Sequence, residues 1–191
     1  MSRKITVILG SPRRDGNSER LAAALVRGAS EVGYKAQYVR MHGLKVGGCI
    51  DCRRCWSNGT HCFLNDDMKE VYAALDTSDV IVFASPLYFY SWAAQIKPIW
   101  DRLLPYFHPN SKVDVRGRVA VLLSTAGDKD AKCFGGLKKS FELACAYCGW
   151  RIAGEILAHG VYGAGEISEK GDWLKRAEDL GKKLQTDEGE K

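Results

Sequence analysis

The chain has 191 residues, 46% of them hydrophobic, with 28 Lys and Arg against 23 Asp and Glu for a formal net charge of +5. That length fills one core well and is short for two, so residues 1–191 read as a single domain. The basic residues (Arg13, Arg14, Arg53, Arg54, Arg116, Arg118, Lys138, Lys139) are scattered, without a basic block or interleaved aromatics. This argues against a nucleic-acid partner and for a soluble surface with mild attraction for phosphorylated small molecules. No apolar run approaches the roughly 20 residues needed to span a bilayer. The first apolar stretch ends in Gly-Ser-Pro-Arg-Arg, not in a small-residue cleavage site. Seven cysteines in a chain of this size favour free thiols and metal ligands over a disulfide framework, and a cytoplasmic location is expected.

Taken in order, apolar runs of strand length alternate with helical patterns. Strands are predicted at residues 5–9, 36–40, 79–85, 119–124 and 152–160, and helices at 17–32, 66–75, about 93–104, 134–148 and 168–184. The strongest strands are apolar on both faces, as in a parallel sheet covered by helices on each side. Five β–α repeats with right-handed crossovers give an α/β fold, a doubly wound five-stranded parallel sheet in three α/β/α layers. Pro98 conflicts with a continuous helix at 93–104, because an interior proline removes a backbone hydrogen bond. Either the helix starts late, near Ile96, or it kinks there. The one long irregular stretch, about 41–65, is cysteine-rich, and loops of that length are usually functional or disordered. The polar tail after Leu184 is expected to fray.

The first strand ends in Gly10-Ser11-Pro12-Arg13-Arg14-Asp15-Gly16-Asn17-Ser18 and runs into a helix. Unpaired backbone N–H groups and the helix dipole favour an anion at such a helix start. Ser11, Asn17 and Ser18 can add donors and Arg13 a charged fork; the plainer reading is an ordinary turn with a helix cap. The loop is neither a Walker loop nor G-x-G-x-x-G, so a mononucleotide phosphate suits it better than a dinucleotide. Two further loops leave the carboxyl ends of central strands, where ligands settle in open α/β sheets. Residues 85–92 (SPLYFYSW) are dense in aromatics that can line a flat ring or simply pack. Residues 124–128 (STAGD) are small and polar and can present backbone N–H groups to ring heteroatoms. One phosphate loop and two ring loops at one edge describe a flavin mononucleotide (FMN) site.

Cys49, Cys52, Cys55 and Cys62 follow a C-x2-C-x2-C-x6-C pattern. Such runs commonly hold iron–sulfur clusters, and Arg53, Arg54 and His61 between them could offset the charge of four thiolates. Zinc usually pairs two C-x2-C knuckles across a longer gap; zinc and an empty or redox-active thiol loop stay open beside the cluster. Cys133, Cys145 and Cys148 read as buried packing. No Ser–His–Asp or paired-carboxylate constellation stands out, and no general base is assigned.

Together GSPRRDGNSERLA, SPLYFYSWAAQIKPIWDR and the strand–loop around Ser124 resemble the NADPH-dependent FMN reductase family of flavodoxin-like proteins. The cysteine run followed by Asp66-Asp67-Met68 is similar to its iron–sulfur flavoprotein subgroup. The resemblance spans about residues 4–165 and implies a flavodoxin-like sheet of order 2-1-3-4-5, bound FMN, and homodimers or homotetramers. Ser11, Pro12, Arg13, Asn17 and Ser18 would serve the phosphate. Pro86, Leu87, Tyr88 and Phe89 would flank the isoalloxazine ring, with Ser124, Thr125, Ala126, Gly127 and Asp128 at its other edge. The four cysteines would ligate a [4Fe–4S] cluster. The implied activity is an FMN-dependent oxidoreductase passing electrons from NAD(P)H or a ferredoxin-type donor to an acceptor. A cluster-free NAD(P)H-dependent FMN or quinone reductase and a non-enzymatic electron carrier are the alternatives.

Overall fold

β-Branched residues crowd the first predicted strand, and the backbone there is extended as β1 (Arg3–Leu9). A computed structural model of the chain describes residues 3–59 and 61–184; the polar tail after Leu184 lies outside them. Helix α1 (Asn17–Glu31) returns the chain to β2 (Tyr34–Arg40). The cysteine-rich stretch comes next, with one short helix, α2 (Arg54–Asn58), and then α3 (Met68–Asp76). Strand β3 (Val80–Tyr88) turns back through a two-residue strand β4 (Ser91–Trp92) into α4 (Lys97–Asp101). Strand β5 (Val119–Thr125), α5 (Gly135–Cys148), β6 (Arg151–Ala158) and α6 (Trp173–Lys182) complete the order.

The five long strands run parallel in the order β2-β1-β3-β5-β6, which is the 2-1-3-4-5 arrangement expected of them. The sheet has six strands and not five, because β4 pairs antiparallel with the end of β3, Leu87 opposite Trp92. Alternate residues face opposite layers. Val7, Val82, Val121 and Leu123 pack with Leu21 and Leu25 of α1 and Ala177 of α6. Ile8, Ile81, Phe83 and Leu122 pack with α3, α4 and α5 through Val71, Ile99 and Phe141. In this second layer Phe83 stacks on Trp100, ring centroids 4.4 Å apart, with Trp92 beside both.

Pro98 settles the predicted helix at 93–104. The helical turn begins at Lys97, so Pro98 lies in its first turn, where its missing N–H would be unpaired anyway. The chain leaves this helix after Asp101 and continues as a 3-10 turn at Leu104–Phe107. Among the described residues no helix is long and apolar enough to cross a membrane.

Helices α1 and α6 meet through glycines. A Cβ on Gly28 would run into the Glu178 carbonyl, and one on Gly181 into the Leu25 carbonyl. Backbones this close leave no room for a methyl group, and overpacking of this kind costs about 1–3 kcal/mol. Gly28→Ala and Gly181→Ala are each expected to lower the melting temperature by several degrees, at about 2–4 °C per kcal/mol for a chain of this size. Thermal unfolding followed by circular dichroism checks this; unchanged melting would show that the helices simply part.

Candidate functional site

The carboxyl ends of β1, β3, β5 and β6 open onto one cleft. Ser11, Arg13, Asn17 and Ser18 line it from the first loop, Pro86, Leu87 and Tyr88 from the end of β3, and Thr125, Ala126 and Gly127 from the end of β5. Pro12, Phe89, Ser124 and Asp128 do not line it. Phe89 is 98% exposed at the tip of the β3–β4 hairpin. Ser124 is buried beneath the cleft, where its hydroxyl donates to the Ser85 carbonyl at 2.9 Å. Asp128 holds turns: its carbonyl accepts from Gly160 N at 2.6 Å and its carboxylate from Asp130 N at 2.9 Å.

Gly16 of the phosphate turn also lines the cleft, as do two residues that carried no recognisable signal in the sequence, Val161 and Tyr162. Val161 and Tyr162 come from the segment after β6, tied to the β5 loop by Val161 N to Ala126 O at 2.9 Å. Topology alone could have placed them, since a parallel strand next to β5 must deliver its following loop to the same edge.

The start of α1 is built to stay open. Gly16, the residue before the helix, is extended, and no side chain caps the first turn. Asn17 is turned away from capping; it donates to Gly163 O at 2.9 Å and accepts from Ile167 N at 3.3 Å. Asp15, at φ +53°, fixes the turn by pairing with Arg20 at 2.5 Å, while its N–H donates to Glu19 at 2.7 Å. The first-turn N–H groups and the positive end of the helix dipole therefore face the cleft without a competing side chain. Arg13 stands at the rim, its guanidinium 3.4 Å from Tyr162 O. Two glycines make close approaches here. A Cβ on Gly10 would sit 2.5 Å from Ile96 Cγ1, and one on Gly127 would sit 2.7 Å from the Tyr162 ring. This edge can hold a phosphate at one end and a flat ring between two loops.

The four cysteines of the long loop line a separate hollow with Arg102. Among the described residues, no three or more His, Cys, Asp or Glu side chains form a group arranged to hold a metal ion. The thiols nevertheless feel one another: burial raises the pKa of Cys55, and Cys62, Cys52 and Cys49 raise it further. The cations expected to balance them have other partners as well, although Arg53 also lines the hollow. Arg53 pairs with Asp51, Arg54 lies 4.6 Å over the Phe63 ring, and His61 stacks on Tyr72 at 4.3 Å beside Asp76. Arg102 lines the hollow beside Arg53, and the sequence did not announce it. Its side chain is 1% exposed and grips Asp66 with both nitrogens, at 2.6 and 2.9 Å. Its Nε is buried without a hydrogen-bond partner. Cys145 and Cys148, by contrast, are buried thiols pushed up to about 12, which makes them inert packing.

The family model for NADPH-dependent FMN reductase matches residues 3–137. An iron-sulfur flavoprotein of Archaeoglobus fulgidus is 30% identical over 184 residues, covering 95% of this chain and 78% of that protein. An iron-sulfur flavoprotein of Methanosarcina thermophila is 31% identical over 139 residues, covering 73% of this chain and 69% of that one. Among solved structures, the NAD(P)H:quinone oxidoreductase from Methanothermobacter marburgensis superposes with a TM-score of 0.76 at 20% identity, covering 97% of each chain. At that identity the superposition speaks for the fold.

The β6 wall of the cleft rests on one carboxylate. Glu166 pairs with Lys170 and accepts from Tyr162 N at 2.5 Å and Gly163 N at 2.9 Å, and these contacts, Lys170 foremost, lower its pKa to about 2 from the ordinary 4.5. A depressed folded-state pKa means the stabilisation is full above the unfolded value and disappears as pH falls through the folded one. Amide protection at Tyr162 and Gly163, corrected for intrinsic exchange, is expected to decline between about pH 4.5 and 2. In Glu166→Gln the same low protection should appear at neutral pH. Equal protection in both proteins at neutral pH would refute the role.

Proposed function

Because the chain belongs to the NADPH-dependent FMN reductase family, we propose that the cleft holds FMN with its phosphate at the start of α1 and its isoalloxazine ring between residues 86–88 and 125–127. The protein is an FMN-dependent oxidoreductase. The observation that carries the placement is the uncapped first turn of α1 opening onto the same cleft as the two ring loops. Bound FMN supplies the redox chemistry, and the chain supplies position, charge and exclusion of water.

Each part of the wall has a task. The α1 amides, with Ser11, Ser18 and Arg13, meet a phosphate dianion, and backbone donors and a positive dipole favour that charge. Ser124 clips β5 to the Ser85 carbonyl, and the Ser85 hydroxyl accepts from Ala93 N at 3.4 Å, so the two ring loops keep a fixed separation. Gly127 lets the Tyr162 ring close over the second loop. NAD(P)H or a ferredoxin-type donor, and a flat acceptor, would approach the open side of the cleft. The fully exposed Phe89 and the exposed Tyr90 at the hairpin tip support self-association, as a homodimer or homotetramer. Seven free thiols suit a reducing, cytoplasmic setting.

Cys49, Cys52, Cys55 and Cys62 would hold a [4Fe–4S] cluster, which supplies one-electron transfer. Their common hollow, the unpartnered Nε of Arg102 beside it and the likeness to proteins named iron-sulfur flavoproteins support this. The lack of a ready metal-binding group among the described residues favours a cluster-free NAD(P)H-dependent reductase as the second reading. Iron and acid-labile sulfide in anaerobically prepared protein decide between them. Near-zero values, or zinc in their place, sink the cluster.

Two variants test the assignments separately. Arg13→Ala is expected to weaken FMN binding about tenfold, equivalent to about 1.4 kcal/mol. It should leave riboflavin, which lacks the phosphate, bound as before. Equal losses for both ligands would move the phosphate elsewhere. Cys62→Ser is expected to lose iron while keeping flavin, and full iron in that variant would remove Cys62 from the ligand set.

A further inference from the structure

The loop that carries the four cysteines is held from outside. Its two ends are pinned together: Lys45 N donates to the Asp67 carboxylate at 2.7 Å, Asp67 N to Lys45 O at 3.1 Å, and Gly47 N to the Asp66 carboxylate at 3.0 Å. Arg102, from the far side of α4, closes this join. Besides its fork onto Asp66, its Nη1 donates to Gly47 O at 3.0 Å, while its own carbonyl accepts from Tyr72 OH at 2.5 Å. One guanidinium thus touches the chain just before Cys49 and just after Cys62.

The same group faces the hollow. It lines that hollow together with Cys49, Cys52, Cys55 and Cys62, and its side chain is 1% exposed. Arg53 also lines the hollow, but it and Arg54 stand in solvent, one on Asp51 and the other over Phe63, whereas the Arg102 side chain is buried. An isolated buried N–H is costly, and the Nε of Arg102 is one.

Resting on the cluster reading of the four cysteines, we propose that Arg102, oriented by Asp66, is the positioning residue of the iron–sulfur centre. It registers the two ends of the ligand loop and places a fixed positive charge with a free N–H donor beside the sulfurs. Hydrogen bonds and charge near the sulfurs set cluster potentials. A cation there favours the reduced, more negative state and so raises the reduction potential. Asp66 orients that cation and partly offsets it.

The test uses the full-length protein with its flavin, reconstituted anaerobically with ferrous iron and sulfide, and reads the cluster potential by redox titration followed by electron paramagnetic resonance. Arg102→Gln should shift the potential negative and Asp66→Asn should shift it positive. Arg102→Lys, which keeps the charge and loses the fork, should restore most of the potential but release iron to a chelator about 10–100-fold more readily, the usual size of outer-shell effects. Flavin content and circular dichroism report the fold independently, since Arg102 does not line the FMN cleft. Opposite shifts in the two neutral variants establish the role, because general loosening of the loop would not change sign with charge. Loaded variants with the wild-type potential overturn it, as does unfolding of all three proteins, which would assign the pair to the fold alone. Wild-type protein that takes up no cluster would refute the cluster reading itself, and this inference with it.

Discussion

A parallel sheet buried on both faces constrains everything else in this molecule. Its backbone groups are paired within the sheet, its strands are apolar above and below, and every connection must cross a face as a helix or a long loop. All five long strands then end at one edge, and the loops that follow them emerge there. The phosphate turn, the ring hairpin, the small polar loop and the segment after β6 gather there for that reason. The site is a consequence of the topology before any residue in it is chosen.

The two proposed redox sites of this protein are built by different means. The flavin cleft is made of strand ends, so its walls inherit the rigidity of the sheet; Ser124 to Ser85 and Val161 to Ala126 merely stitch neighbouring loops. The described residues of the cysteine loop, between β2 and α3, have little regular structure, only the five residues of α2. Its order comes from polar closure, with Asp66, Asp67 and Arg102 holding Lys45 and Gly47. A buried ion pair is a poor source of net stability against an apolar alternative, yet removing one partner is expensive. Keeping such a pair makes sense where a charge beside sulfur has work to do.

Local signals sufficed for some of this and not for the rest. The strands were legible because β-branched residues apolar on both faces have few other solutions. The phosphate turn was legible because glycine, serine and asparagine before an amphipathic helix carry a mechanism. Asn17 was harder: its residue type suits a cap or a ligand, and only the fold shows it spent on Gly163 and Ile167. Arg102 was invisible because nothing in its neighbourhood distinguishes a buried arginine from an exposed one. Its partner lies 36 positions earlier, and the pair exists only after α4 packs beside the long loop. Tyr162 lay beyond the last obvious motif, although the direction of β6 dictated where it would arrive.

The β3–β4 hairpin shows how local preference yields to tertiary need. Phe89 and Tyr90 occupy the left-handed region at φ +47° and +62°, where asparagine and glycine are at home. Each such residue costs on the order of 1–3 kcal/mol when bulky. The turn nevertheless forms, because it returns the chain in time for Trp92 to bury itself against Phe83 and Trp100. Burying a large aromatic contributes about as much as the turn costs. The reversal also brings Ala93 N to the Ser85 hydroxyl, directly below the ring loop. A relaxed asparagine–glycine turn would give the same path with less strain and would lack the rings. Phe89, fully exposed, contributes nothing to the core of this chain. The folding of the hairpin therefore does not account for an aromatic side chain at position 89.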